Sequence, residues 1–268
     1  MRSWRVCPPI RTPPAAPRWT CSTTRRRSRS STPRPGATWL SRSAVRVLAV
    51  SDEEVPGLAL ASSTLRPDLI LGAGDLPGAY LESLVDRYEV PCVFVPGNHD
   101  PDHSGYRRTR GGFVRGGVPC EPPGPRGGVN ADGRVVTVEG LTVAGLGGSV
   151  RYRGGPNQWT QAQATRRAWR VRFAAGRRPV DVVLAHSPAR GVGDGEDGPH
   201  RGLAALGGLV ETLRPQVFVH GHVHPFGRPG PDHEIDGVPV LNTVGYTYFE
   251  ITPGSPGTYR VKERRRGA

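Results

Sequence analysis

Acidic residues are absent from the first 46 positions of this 268-residue chain, although the same segment holds eleven arginines. Beyond it the chain carries 25 basic and 23 acidic residues, so almost all of the net charge of +13 comes from the N-terminal segment. Because the remaining charges nearly balance, the high overall charge does not indicate a nucleic-acid interface on the folded part. We therefore expect no nucleic-acid partner.

Residues 1–44 also lack a lasting hydrophobic period, and such a segment cannot bury enough apolar surface to offset its ordering entropy. It is either a disordered basic arm that contacts phosphates, a transit-like leader, or a segment outside the natural protein. Met1 is the single methionine, so a later start, for example at Val45, would use another initiation codon. The bias toward Arg, Pro, Gly and Ala is typical of GC-rich bacterial genes, in which false upstream starts arise easily. We therefore favour the third interpretation and expect a bacterial source.

The chain has no run of 18 apolar residues, and no signal-peptide core stands near its start. We therefore expect no membrane span, no membrane partner and no secretion by a standard signal. The four cysteines, at positions 7, 21, 92 and 120, form neither a CxxC zinc pattern nor a disulfide framework. These absences favour a protein of the reducing cytoplasm.

From Val45 onward, strand and helix patterns alternate. Apolar runs predict strands at 45–50, 68–71 and 92–95, with a helix at 78–88. Such near-continuous apolar strands are typical of a sheet that is buried on both faces. Further along we expect a Gly/Pro-rich loop (97–130), a hairpin (134–147), a helix (158–176), a strand (180–186), a helix (200–213), a strand (216–222) and three closing strands within 238–263. We divide the chain into the basic extension 1–44, an α/β domain 45–262 and a solvated basic tail 263–268.

Metal-capable side chains follow five of these predicted strands, at the carboxyl ends where open α/β sheets bind ligands. Residues two apart in an extended chain point to the same side, so we expect Asp52 and Glu54 to share one ion. A bridging carboxylate combined with oxygen and nitrogen ligands is what a two-metal site requires. The full set is Asp52, Glu54, Asp75, Asn98, His99, Asp100, His186, His222 and His224.

The order of these segments resembles the motifs of the calcineurin-like metallophosphoesterases. The matching segments are Asp52-Glu53-Glu54, Gly74-Asp75, GNHD at 97–100, the strand-ending His186 and GHVH at 221–224. The resemblance covers about 45–262. It implies a four-layer α/β/β/α sandwich of two mixed sheets, with a dinuclear metal centre at one rim.

The resemblance also implies a role for each motif residue. Asp75 would bridge two divalent ions, of which one is also bound by Asp52 and His224. The other ion would be bound by Asn98, His186 and His222. His99 would be the acid that assists the leaving group, and Asp100 would orient His99.

Glu54 departs from the usual family pattern, which carries a histidine at this position of the first motif. A subgroup of small bacterial members similarly has Asp-x-Glu there. A carboxylate favours hard ions, so we expect Mn²⁺, with Fe, Mg²⁺ or Zn²⁺ as alternatives. The same replacement leaves open whether Glu54 binds metal at all.

The ligand set predicts hydrolysis of a phosphomonoester or phosphodiester by a metal-bound hydroxide at the dinuclear centre. The substrate would be a phosphorylated small molecule or a nucleotide. Arg151, Arg153 and Arg201 are candidate substrate contacts because guanidinium matches phosphate geometry, although for each one taken singly a solvated surface arginine is the favoured interpretation. The alternative is a scaffold of the same fold that has weakened metal activity and binds a protein partner, and the altered Glu54 points that way.

Overall fold

The computed structural model describes residues 43–60, 62–121, 123–225 and 232–267. The strands are β1 (Val45–Ser51), β2 (Leu69–Gly72), β3 (Cys92–Phe94), β4 (Tyr106–Thr109), β5 (Gly112–Arg115), β6 (Val118–Cys120), β7 (Gly128–Asn130), β8 (Val135–Val138), β9 (Leu141–Leu146), β10 (Ser149–Val150), β11 (Gln158–Trp159), β12 (Val182–Ala185), β13 (Val217–His220), β14 (His233–Ile235), β15 (Val238–Asn242), β16 (Gly245–Ile251) and β17 (Arg260–Arg266). The helices are α1 (Pro56–Ala59), α2 (Gly78–Tyr88), α3 (Gln161–Ala175) and α4 (Ala204–Leu213). The predicted extension 1–44 falls almost entirely outside the described residues.

Two six-stranded mixed sheets form the body of the domain. The first sheet has the order β17-β16-β1-β2-β3-β7, and its strands β1, β2, β3 and β7 are parallel. The second sheet has the order β14-β15-β13-β12-β9-β8, and its strands β15, β13, β12 and β9 are parallel. Antiparallel strands lie at the edges of both sheets.

Side-chain alternation along β1 shows how the first sheet is covered on both faces. Val47 and Ala49 belong to the cluster that is buried between the two sheets. Leu48 and Val50 point the other way, into a cluster formed with α1 and α2. Because both faces meet apolar partners, the strand is apolar at nearly every position.

The second sheet repeats this arrangement with a different pair of helices. In β12, Val182 and Leu184 face the central cluster, whereas Val183 and Ala185 pack with α3 and α4. The layers therefore run α1/α2, first sheet, second sheet, α3/α4. The predicted α/β fold, a four-layer sandwich of two mixed sheets, is confirmed.

The helix predicted over 158–176 begins later than expected because of its cap. Thr160 accepts a hydrogen bond from the backbone N–H of Gln163, and the Gln163 side chain reaches back to the backbone of Thr160. This capping box fixes the first turn, so the two residues before it are free to form β11. At the other end the helix ends at Gly176, which has a φ of 60°.

The segment 97–130 is not the simple loop that the sequence predicts. It contains the antiparallel sheet β4-β5-β6 and the edge strand β7. Gly116 and Gly117 both have positive φ and form the two-residue turn between β5 and β6. Such a turn requires positive φ at both positions, so the Gly-Gly pair in the sequence could have predicted this hairpin. The flanking strands are largely exposed and lack apolar alternation, so periodicity could not find them.

Two further differences lie near the C-terminus. Strand β14 was not predicted, because its three residues are too few to give a period. Strand β17 continues through Arg264–Arg266, so the expected basic tail begins inside it. The Arg264 side chain is 15% exposed and pairs with Asp232 at 2.6 Å, so the prediction of a solvated end is wrong for this residue. No α-helix among the described ranges combines the length and hydropathy that a bilayer crossing requires.

The layered core predicts a clear contrast between two phenylalanines on the same side of the domain. Phe218 is fully buried beneath α3 and α4, whereas Phe173 on α3 is 74% exposed. We expect Phe218→Ala to lower the free energy of unfolding by about 3–5 kcal/mol, because it leaves a cavity. The control Phe173→Ala should change it by less than about 0.5 kcal/mol. Urea denaturation followed by circular dichroism measures both, and equal effects would contradict the assigned layers.

Candidate metal centre

The strand ends of both sheets converge at one rim of the sandwich. Asp75 follows β2, His186 follows β12 and His222 follows β13. One carboxylate oxygen and two imidazole nitrogens from these residues lie within 4.8 Å of one another. The convergence that the sequence predicts for these three residues is therefore present.

His186 lies at the centre of this group and is fully buried. Its Nδ1 lies 2.8 Å from the carbonyl oxygen of Ala73, which can only accept, so Nδ1 carries a proton. Its Nε2 therefore faces the group with a lone pair when the ring is neutral. Three polar atoms surround that Nε2, namely Oδ1 of Asn98 at 3.0 Å, Nδ1 of His222 at 3.1 Å and Oδ2 of Asp75 at 3.2 Å.

The orientation of His222 is fixed in the same way. Its Nε2 donates to the carbonyl oxygen of Pro199 at 2.8 Å, so its Nδ1 carries the lone pair. Asn98 is 2% exposed, and its Nδ2 donates to the hydroxyl oxygen of Tyr152 at 3.3 Å, which turns Oδ1 toward the group. Carbonyls and hydroxyls that fix ligand orientation from outside are a regular feature of metal sites.

Three acceptor atoms thus lie between 3.0 and 3.2 Å from a fourth, Nε2 of His186, and this arrangement fits a divalent cation. A single proton on Nε2 of His186 can bond only one of its three neighbours at a time. Two imidazoles, a carboxylate and an amide oxygen form a mixed nitrogen and oxygen set of the kind that Mn²⁺, Fe or Zn²⁺ accepts. Asp75, Asn98, His186 and His222 would hold such an ion.

The electrostatics of the group reflect this crowding. Burial lowers the pKa of His186, but the Asp75 carboxylate outweighs it and raises the value to about 9. Burial raises the pKa of Asp75, yet the positive charge of His186 dominates and lowers it to about 2. Burial and then the charge of His186 lower the pKa of His222 to about 3. In the metal-free protein the protonated His186 ring therefore supplies the positive charge that balances the Asp75 carboxylate.

Asp52 reaches the same region through an unusual backbone turn. Its φ is 60°, and the N–H of Glu53 donates to the carbonyl oxygen of Ser51 at 2.6 Å. His222 has a φ of 71° in a matching turn, in which Val223 donates to Gly221. Positive-φ turns of this three-residue type are strained and rare for residues with a side chain. Oδ2 of Asp52 accepts the backbone N–H of His222 at 2.9 Å, which joins the two turns.

The turn at Asp52 overturns the expected position of Glu54. Residues 52 and 54 would share a side in an extended chain, but the left-handed conformation of Asp52 breaks that alternation. Glu54 is exposed and is not among the residues that converge on His186. Oε1 of Glu53 lies 3.4 Å from Nδ1 of His224, so the neighbouring residue, and not Glu54, contacts this predicted ligand.

The expected pairing of His99 with Asp100 is also wrong. Oδ2 of Asp100 accepts the backbone N–H groups of Gly97 at 2.7 Å and Asp75 at 2.9 Å. The carboxylate therefore fastens the loop to the end of β2 rather than orienting the imidazole. The backbone N–H of His99 donates to Oδ1 of Asp75 at 2.8 Å, and its side chain is exposed beside the group.

The three candidate arginines have different surroundings. Arg151 donates to Oε1 of Gln163 at the start of α3. Arg201 is exposed and donates to the carbonyl oxygen of Glu196. Arg153 lies over the ring of Tyr152 at 5.3 Å, next to the residue whose hydroxyl contacts Asn98. Arg153 is thus connected to the site through Tyr152.

Comparison with known proteins decides the family. A family model described as calcineurin-like phosphoesterase matches residues 51–226, well over half of the chain. The chain belongs to the calcineurin-like phosphoesterase family. Members of this family generally carry out metal-dependent hydrolysis of phosphoesters, which agrees with the ligand group. No curated protein sequence matches the chain significantly.

Solved structures similar to this chain share little sequence identity with it. The crystal structure of TT1561 of Thermus thermophilus is 15% identical, with 83% of this chain and 100% of that chain covered and a TM-score of 0.51. A Vps29 single mutant from Entamoeba histolytica is 14% identical, with 81% and 97% covered and a TM-score of 0.37. A putative 5′-nucleotidase from Staphylococcus aureus is 11% identical, with 82% and 53% covered and a TM-score of 0.40. Of these, the structure from Thermus thermophilus, with its TM-score above 0.5, shows a shared fold and not a particular activity.

The raised pKa of His186 predicts that metal binding releases a proton. At about pH 7.5, below its pKa of about 9, the metal-free ring is protonated, whereas a metal ligand must be neutral. Calorimetric titration with Mn²⁺ in two buffers of different ionisation enthalpy should report release of about one proton per ion at this site. Release should fade above about pH 10, where the ring is already neutral. A proton count that does not change with pH would contradict the assignment.

Gly97 offers a second test, because a Cβ at this position would overlap the Asp75 carboxylate. We expect Gly97→Ala to weaken Mn²⁺ binding by about tenfold or more, since ligand support is commonly worth this much. Gly111→Ala is the matched control, because no heavy atom lies within 4 Å of its added Cβ. Equal metal affinity in both variants, measured by equilibrium dialysis, would show that Gly97 does not position Asp75.

Proposed function

We propose that this protein is a metal-dependent phosphoesterase that hydrolyses a phosphomonoester or phosphodiester of a small molecule or nucleotide. The observation that supports it is the set of acceptor atoms around Nε2 of His186, together with membership of the family. Phosphoryl transfer demands concentrated positive charge next to a site open to solvent. The buried ligand group beside the exposed His99 meets both conditions.

The residues divide into those that hold metal and those that handle substrate. Asp75, Asn98, His186 and His222 would hold one ion, and Asp52 with His224 would hold a second that shares Asp75. Bound divalent ions supply Lewis acidity, which activates water and neutralises phosphoryl charge. Mn²⁺ is our proposed native ion, because carboxylate, amide and imidazole ligands suit it.

The protein's own groups handle the protons and the substrate. The His99 imidazole is exposed beside Asp75 and would give a proton to the departing oxygen. Arg153, held over Tyr152, would contact a phosphoryl oxygen of the substrate. The bacterial source and the cytoplasmic location that the sequence favours stay predictions.

A second candidate function is a scaffold with weakened metal activity that binds a protein partner. Its support is the position of Glu54, which is exposed, so the second ion would have fewer ligands than the family pattern provides. The two functions differ in one cheap measurement, which is turnover of an artificial diester by metal-loaded protein. No turnover with any divalent ion in well-folded protein would favour the scaffold.

Activity on bis-p-nitrophenyl phosphate with Mn²⁺ tests the proposal. We expect turnover by the wild type and losses of more than about 100-fold in His186→Ala and His222→Ala, because each removes a ligand. His233→Ala is the control, since His233 is exposed and is not a member of the ligand group. Wild-type activity that survives either ligand substitution would refute this site.

His99→Ala separates metal binding from proton donation. We expect its Mn²⁺ content to match the wild type, while kcat falls by about 10²–10⁴-fold because general acid assistance is lost. The loss should be smaller for esters with good leaving groups, which need no proton. Loss of bound metal in this variant would mean that His99 is a ligand instead.

A further inference from the structure

A groove runs between helices α3 and α4 on the outer layer of the domain, with a volume of about 600 Å³. Trp169 and Phe173 line it from α3, and Gly208 and Leu209 line it from α4. None of the candidate metal ligands is among its lining residues. The groove is therefore a feature separate from the site at the rim.

The two aromatic side chains of the groove are unusually exposed for their size. Trp169 is 63% exposed and Phe173 is 74% exposed. They stand four residues apart on α3, so they share one face of the helix, and their ring centres are 6.3 Å apart. Exposed apolar patches of this kind mark interaction sites, and aromatic residues often dominate the binding energy there.

The glycines of α4 support the same interpretation. Gly207 and Gly208 lie inside this helix, where glycine is less favourable than alanine. A Cβ added at either position would meet no heavy atom within 4 Å, so the packing of the domain itself does not require glycine there. The missing side chain at Gly208 lets a second backbone approach α4 closely, which a helix lying in the groove would need.

Positive charge borders the groove. The segment 161–180 holds six arginines and no acidic residue. Arg166, Arg170 and Arg172 are exposed on α3, and within the described part of the chain no carboxylate forms an ion pair with any of them. Glu211 is the one acidic residue on α3 and α4. An occupant with negative charge beside its apolar surface therefore fits this groove.

Charge and lining together decide between the possible occupants. A second copy of this chain would place the arginines against the same arginines of its partner, because a two-fold interface brings identical surfaces together. The N-terminal segment has no acidic residue up to position 46, so it would be repelled as well. A nucleic acid would be attracted, but the floor formed by Ala204, Ala205 and Leu209 would leave the polar edges of its bases unpaired. The apolar floor favours aliphatic and aromatic side chains.

We propose that the groove between α3 and α4 binds an acidic amphipathic helix of a partner protein. Apolar side chains three or four positions apart on that helix would contact Trp169, Phe173 and Leu209, and its acidic residues would lie next to the exposed arginines of α3. The lining residues of α3 extend from 165 to 173, about 12 Å at 1.5 Å per residue, which matches about two turns of the partner helix. The proposal holds for an enzyme and for a scaffold alike, because no metal ligand takes part.

Selection from a phage-displayed library of random 16-residue peptides on the immobilised full-length protein tests the proposal. We expect enriched peptides to carry net negative charge and large apolar residues at a spacing of three or four. Affinity for a synthetic copy of the most enriched peptide, measured by fluorescence anisotropy, should fall by about tenfold or more in Trp169→Ala and in Phe173→Ala. Gly208→Leu should abolish binding, because its side chain would occupy the groove. Affinity should also fall as salt concentration rises.

Val118→Ala is the matched control, because Val118 is an exposed apolar residue that does not line the groove. It should leave the peptide affinity unchanged, and all four variants should keep the circular dichroism of the wild type. Enriched peptides without acidic residues, equal affinity in Trp169→Ala, or no enrichment on the wild type relative to Gly208→Leu would overturn the proposal.

Two further measurements address the other occupants. A dimer in analytical ultracentrifugation that Trp169→Ala dissociates would overturn the proposal in favour of a second copy of this chain. Binding of a single-stranded oligoribonucleotide that is lost in the same variant would overturn it in favour of a nucleic acid. We expect neither result.

Discussion

The candidate ligand group at the rim of this sandwich is arranged around one atom, Nε2 of His186. Parallel strands from two different sheets have to end at the same place for Asp75, Asn98 and His222 to reach it. The two sheets are held at that spacing by the apolar cluster between them, which runs along the inner faces of their central strands. The core therefore does more than stabilise the fold, because it sets the distance between ligands that come from opposite layers.

Bringing these polar groups together requires strained backbone conformations at the strand ends. Asp52, Asp75 and His222 all have φ between 55° and 71°, a region that residues with a side chain seldom adopt. Glycines occupy positions where a side chain would collide with the site. A Cβ added at Gly97 would overlap Asp75, and one added at Gly221 would overlap Asp52. Strain and close approach are concentrated at the strand ends, whereas the strands themselves are regular. This is the distribution expected when a regular scaffold supports a demanding site.

The sequence was sufficient for the scaffold and for the identity of most site residues. Apolar runs located the central strands, and the motif order located Asp75, Asn98, His186 and His222, which the structure brings together. The failure at the first motif comes from backbone conformation, which residue type does not reveal. An extended chain at Asp52 would have directed Glu54 inward, but the left-handed turn exposes it and turns Glu53 toward His224.

Side-chain partners were the second limit of the sequence. His99 and Asp100 are adjacent in the chain, yet the carboxylate folds back to Gly97, three residues before it. A carboxylate–histidine pair does form elsewhere, where Oδ1 and Oδ2 of Asp197 lie 2.9 and 2.8 Å from Nδ1 of His200. A spacing of three residues between an acid and a histidine is too common for the sequence to predict that contact.

The geometry of the ligand group also bears on the choice between enzyme and scaffold. Tautomers fixed by Ala73 and Pro199 direct the lone pairs of two imidazoles at one another and at two oxygen acceptors. One proton can satisfy part of this set, but the remaining acceptors are buried facing each other, which is unfavourable in a medium of low dielectric constant. A divalent cation can satisfy all four atoms at once, so this arrangement fits a role in holding an ion.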